Sequence, residues 1–157
     1  MIGAYYQCFN QDKSLNFVLT NYRKFYNNTN IVLVCDGGSD YSSEALKYNC
    51  HYHYEKKINT EKNLIFKSID STFTFFERLG KFINEIDEDF FIILEDDVLI
   101  MNKITISHLQ FDINGCNVNE FLSENINNDL KNYNKNYNLD KFYFGGCGGS
   151  ILKTIFF

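Results

Sequence analysis

The sequence predicts an α/β fold in which a mainly parallel sheet is flanked by helices. Two observations carry that prediction. Ile31-Val-Leu-Val-Cys35 and Phe90-Phe-Ile-Ile-Leu94 are apolar runs without alternation, the pattern of strands buried on both faces. Between such runs, apolar residues recur at helical spacing, so strands and helices alternate, as parallel strands joined by right-handed crossovers require.

The first strand is Ile2 to Phe9, short, apolar and aromatic, broken at Asn10-Gln-Asp-Lys. Leu15, Val18, Leu19, Tyr22, Phe25 and Tyr26 then mark a helix, with Asp12 or Ser14 placed to cap its start. After the Ile31–Cys35 strand comes Asp36-Gly-Gly-Ser-Asp40 and a short helix near Ser42 to Tyr48. Ser39 or Asp40 is placed to cap that helix. Cys50-His-Tyr-His-Tyr54 alternates weakly, as a third strand would, and Ile69, Phe73, Phe76, Leu79, Ile83 and Ile86 mark a longer helix. The Phe90–Leu94 strand runs straight into Glu95-Asp96-Asp97.

Residues 101–140 are polar and Asn-rich, which predicts a surface insertion or mobile region within one domain spanning 1–157, with one helix around Glu120 to Lys131. Lys141-Phe-Tyr-Phe144 leads into the glycine run Gly145-Gly-Cys-Gly-Gly-Ser150. The chain then stops within an apolar run, so the fold is expected to be incomplete at its C-terminal end.

At 157 residues the chain suits one α/β core. A net charge of −5 offers no basic stripe for a nucleic-acid backbone, so nucleic-acid binding is not expected. Five scattered cysteines without CxxC spacing suggest neither a zinc site nor a disulfide framework, and favour a reducing, cytoplasmic setting. No apolar run approaches the ~20 residues of a membrane span.

In an open parallel sheet, ligands bind beyond the carboxyl ends of the strands. Asn10-Gln11-Asp12, Asp36 to Asp40 and Glu95-Asp96-Asp97 should therefore share one edge. Three adjacent carboxylates repel one another, and Mg²⁺ or Mn²⁺ would offset that charge while leaving positions open for water and phosphate oxygens. A solvated acidic turn explains the triplet about as well. Asp36 and Asp40 can accept from ribose hydroxyls or a base N–H, and the two glycines between them permit a tight turn or close ligand approach. A plain strand-to-helix turn is the simpler account. Lys56, Lys57 and Lys62 can reach a phosphate or merely be solvated. His51 and His53 share a strand face as metal ligands would, with no third ligand evident.

These residues resemble the GT-A glycosyltransferases, which use nucleotide-diphosphate sugars and have a Rossmann-like sheet. Cys8-Phe-Asn10-Gln-Asp-Lys-Ser-Leu15 looks like their opening strand-to-helix turn. Ile31 to Asp40 looks like their second strand with its D-G-S-x-D turn, Phe90 to Val98 like the strand carrying the DxD motif, and Phe144 to Leu152 like the later glycine-rich segment. The four matches fall in the family's order. Cys35 stands where many relatives have aspartate and Gln11 where many have arginine.

The resemblance implies a metal-dependent transferase moving a sugar from a nucleotide-diphosphate donor to a glycan, protein or lipid hydroxyl. It implies Cys8, Asn10, Asp36 and Asp96 as nucleotide contacts, with Asp96 on the ribose or donor sugar. Asp97 would ligate Mn²⁺ or Mg²⁺ directly and Glu95 through water, and Gly145, Gly146, Gly148, Gly149 and Ser150 would form the donor and acceptor loop. The catalytic base matches no residue here. A shortened, non-catalytic relative that binds nucleotide sugar or docks a partner is the alternative expectation. A response-regulator receiver would carry its acidic pair after the first strand, and a sugar nucleotidyltransferase its glycine loop there, so both fit less well.

Overall fold

The computed structural model describes residues 1–55, 69–109, 113–114 and 149–156. Six strands form one sheet: β1 (Ile2–Cys8), β2 (Ile31–Cys35), β3 (His51–Tyr54), β4 (Phe90–Glu95), β5 (Ile113–Asn114) and β6 (Ile151–Lys153), in the spatial order β3-β2-β1-β4-β6-β5. The helices are α1 (Asp12–Phe25), α2 (Ser42–Lys47) and α3 (Ile69–Ile83). Strands β3, β2, β1 and β4 are mutually parallel, whereas β6 runs antiparallel to both β4 and β5. The sheet is thus mixed, with one reversed strand in an otherwise parallel array.

The α/β expectation holds, and the strand boundaries follow from burial. Every residue of β2 is buried, as are Phe90 to Leu94 of β4. In the centre of the sheet, β1 sends Ile2, Ala4, Tyr6 and Cys8 to one face and Tyr5 to the other. The first set packs on Leu15, Val18, Leu19 and Tyr22 of α1. These recur at intervals of three and four, so one stripe of the helix meets the sheet. Full burial of an aliphatic side chain such as Leu15 or Leu19 stabilises by roughly 1.5–3 kcal/mol. On the opposite face, Leu79, Phe82 and Ile83 of α3 and the following Ile86 cover Tyr5, Val32, Val34, Phe91 and Ile93.

Two buried tyrosines of the α1 face find carbonyl partners. The Tyr22 hydroxyl donates to the Ile2 carbonyl at 2.9 Å, and Tyr6 reaches the Val18 carbonyl at 3.4 Å. Arg23, in the last turn of α1, donates to the carbonyls of Thr29, Tyr48 and Asn49 at 2.7–2.8 Å, tying α1 to the turn that leads into β3.

The expected caps are corrected. Gln11 precedes α1 without a side-chain cap, and Ser14 donates instead to the Asp96 carbonyl across the sheet edge. Tyr41, rather than Ser39 or Asp40, occupies the cap of α2, while the Asp40 carboxylate accepts from the Ser42 N–H at 3.0 Å. The Ser14 and Ser39 hydroxyls find tertiary partners, whereas Asp40 bonds the first helical N–H itself.

Part of the expected polar insertion is structured: Ile106–His108 form a 3₁₀ turn and Ile113–Asn114 pair with β6. The expected helix near Glu120 to Lys131 and the segment Lys141 to Phe144 lie outside the described residues, as do Lys56, Lys57 and Lys62.

Gly38 fixes how closely the β1 and β2 turns approach. A Cβ there would lie 2.0 Å from the Phe9 carbonyl oxygen and 2.5 Å from Asn10 Oδ1. Backbone cannot yield as a flexible side chain can, so Gly38→Ala is expected to destabilise by about 1–3 kcal/mol. A lower urea midpoint at unchanged slope is the readout, and an unshifted midpoint would show that the two turns separate easily.

Candidate functional site

The chain passes from β1 to β2 to β3 in one direction, then returns to the other side of β1 as β4. Strand order therefore reverses at β1, and in open α/β sheets ligands bind beyond the carboxyl ends of the strands at such a switch point. Register brings the expected residues to that edge. Cys8 of β1 pairs with Cys35 of β2, and Gln7 of β1 with Glu95 of β4. Asn10, Asp36 and the acidic triplet thus follow directly on three neighbouring strand ends.

Glycines in the Asp36–Asp40 turn serve the protein's own backbone. Gly37 has φ of 78°, a left-handed conformation that favours glycine, and Gly38 admits the Phe9 carbonyl. Asn10 joins the two turns, its Oδ1 accepting from the Ser39 N–H at 2.9 Å and from the Ser39 hydroxyl at 3.3 Å. Asp40 is held by the Ser42 N–H and then by the Tyr52 hydroxyl, and these donors lower its pKa.

Asp36 is buried, and its carboxylate is already engaged. Arg78 of α3 donates through Nη1 to Oδ1 at 2.7 Å, and Gln7 Nε2 donates to Oδ2 at 3.2 Å. Arg78 is itself 8% exposed, so the pair is an internal one. Among the described residues neither Arg78 Nε nor the neighbouring Tyr5 hydroxyl has a hydrogen-bond partner. Burial pushes the Tyr5 phenol up to about 12, against the pull of the Arg78 guanidinium. The sequence reading passed over Arg78. Its signal was present: position 78 falls on the apolar stripe with Leu79, Phe82 and Ile83, where an unpaired charge is costly.

Strand alternation separates the acidic triplet. Ile93 and Phe91 face α3, so Glu95 continues toward that face beside Gln7. Asp96 turns the other way, buried near Cys8, and its carbonyl takes the Ser14 hydroxyl. Asp97 is exposed. The Cys8 thiol donates to the Val34 carbonyl at 3.5 Å, and its pKa is raised by burial first, then by Cys35 and Asp96. Cys35 donates to the Ser39 carbonyl at 2.9 Å.

Of the glycine run, Gly145, Gly146 and Gly148 lie outside the described residues. Gly149 has φ of 94° and donates its N–H to the Ile93 carbonyl at 2.7 Å, while the Ser150 carbonyl accepts from Ile93 N–H at 2.8 Å. Gly149 and Ser150 are therefore stitched to β4 two residues before the acidic triplet begins.

Among the described residues, no three His, Cys, Asp or Glu side chains are already gathered as a metal cage. Mg²⁺ and Mn²⁺ need no such cage, since they take one or two carboxylates and complete their shells with water and phosphate oxygens. Glu95 and Asp97, hard oxygen donors at the carboxyl end of β4, have the chemistry for that habit. Among the described residues no helix is long and apolar enough to cross a membrane. No known protein family model matches the chain, and neither a curated protein nor a solved structure does so.

Removing one partner from a buried ion pair leaves an uncompensated charge, at a cost of roughly 3–5 kcal/mol. Arg78→Leu should therefore lose stability on that scale, and Asp36→Asn in the same chain should restore a substantial part of it. A double-variant cycle by chemical denaturation measures this, with simple additivity the result that would refute the coupling.

Proposed function

We propose that the chain binds a nucleotide-diphosphate sugar at the β1/β4 switch point and is a metal-dependent glycosyltransferase of GT-A type, acting on a hydroxyl acceptor. The observation that carries this reading is the meeting, at one sheet edge, of the Asp36 turn, the Asn10 turn, the acidic triplet and the Gly149–Ser150 segment. Those are the four stretches on which the resemblance to that family rests, and they are up to about 140 residues apart in sequence.

In this reading Glu95 and Asp97 hold Mn²⁺ or Mg²⁺ with the donor diphosphate. The ion's contribution is to offset charge on the departing diphosphate. Asp36, held rigid by Arg78 and Gln7, has lone pairs left to accept from a ribose hydroxyl or base N–H. Asn10 fixes the spacing of the two turns that would flank the nucleoside. Asp96 supports the site from within, with its carbonyl locked to α1 through Ser14. The Gly149–Ser150 segment, with no side chain at position 149, would let backbone approach the donor sugar.

Calorimetric titration with UDP and with GDP, each with Mn²⁺ and with chelator, tests the assignment. Binding of one nucleotide that requires Mn²⁺ is expected, and Asp97→Ala should weaken it at least tenfold while leaving the chain folded, because Asp97 is exposed just beyond β4. Equal affinity in the variant and the parent would remove Asp97 from the metal site. Absence of binding to either nucleotide by the folded chain would overturn the donor-site reading.

A further inference from the structure

On the far edge of the sheet, His51 and His53 lie on the face of β3 that α3 covers, in register with Val32 and Val34. A third donor, invisible in the sequence because it is 32 residues beyond His53, comes from the chain just after α3. Glu85 Oε2 is 3.3 Å from His51 Nδ1, and Glu85 Oε1 is 2.8 Å from His53 Nε2. His53 Nε2 is buried and, despite that short contact, has no hydrogen-bond partner among the described residues, so the carboxylate lies off the axis a hydrogen bond needs. Stacking on Phe82 at 4.0 Å between ring centroids orients the His53 ring. The nearby ammonium of Lys81 is drawn away to Glu55 at 2.8 Å.

We propose that His51, His53 and Glu85 form a binding site for a borderline transition-metal cation, Zn²⁺ in the first instance, separate from the nucleotide crevice and independent of its assignment. Donors around a tetrahedral Zn²⁺ at ~2.0–2.1 Å are about 3.4 Å apart, against 3.3 and 2.8 Å between Glu85 and the two imidazoles here. The Glu85 carboxylate contacts both imidazoles, one through each oxygen, and among the described residues no three such side chains already surround a common point. Rotations of Glu85 and His51, whose side chains are 33% and 48% exposed, would be needed to bring the donors around one ion. Three protein donors leave a fourth position for water. The bound ion would clamp edge strand β3 to the end of α3, the helix that carries Arg78 to Asp36. Imidazole nitrogens select Zn²⁺, Ni²⁺ or Co²⁺ over Mg²⁺, so this site and a carboxylate–phosphate site would discriminate between ions.

The test is titration of the full chain with Zn²⁺, with Co²⁺ as a spectroscopic probe, in the parent and in His51→Asn, His53→Ala and Glu85→Gln. One equivalent should bind with a Co²⁺ visible band and no thiolate-to-metal charge-transfer absorption. Affinity should fall at least tenfold in His53→Ala and in His51→Asn, a substitution at a half-exposed position that the fold tolerates. Glu85→Gln should weaken binding several-fold, and a hundredfold excess of Mg²⁺ should leave it unchanged. Saturating Zn²⁺ should raise the Tm of the parent and not of His51→Asn. Undetectable binding, equal affinity in parent and His51→Asn, or a charge-transfer band assigning the ion to cysteines would each overturn the proposal.

Discussion

β1 is paired on both edges and buried on both faces, and the rest of the molecule is arranged around that constraint. A parallel strand so placed needs a crossover helix on each side, and α1 and α3 provide them. Its residues also leave little slack. A Cβ at Gly3 would lie 2.4 Å from Ile86 and 2.8 Å from Glu88, so the segment after α3 packs directly on the β1 backbone. Because β2 and β4 both align on β1, the positions where they stop are fixed relative to one another. The candidate site is a consequence of that alignment.

The buried Arg78–Asp36 pair links this scaffold to the site. Asp36 would be costly to bury alone, and Arg78 equally so on the apolar face of α3. Together they anchor the Asp36 turn to a helix from the opposite layer, while Asn10 anchors it to the β1 turn. A turn held from two directions presents its remaining acceptor capacity in one geometry, which suits recognition better than a loop free to rearrange.

How much of this was legible in the sequence varied by residue. The strands at Ile31–Cys35 and Phe90–Leu94 were plain, since continuous apolar runs ending in turn residues leave few alternatives to a buried strand. The acidic triplet was plain as a motif, but alternation divides it between the two faces of the sheet, with Asp96 buried and Asp97 exposed. Cap assignments failed at Ser14 and Ser39 because those hydroxyls found tertiary partners, while Asp40 bonds the Ser42 N–H from one residue before the cap. Gly38, read as serving a tight turn or a close ligand approach, makes room for the Phe9 carbonyl.

By itself the sequence determined the alternation of strands and helices, the core residues and the sheet edge on which polar turns would gather, because local periodicity and burial are properties of neighbouring residues. The reversed strand β6, the salt bridge between Asp36 and Arg78, and the approach of Glu85 to His51 and His53 were decided only by tertiary structure. Each joins residues tens of positions apart whose proximity depends on how helices cross the sheet, and no short window of sequence carries that information.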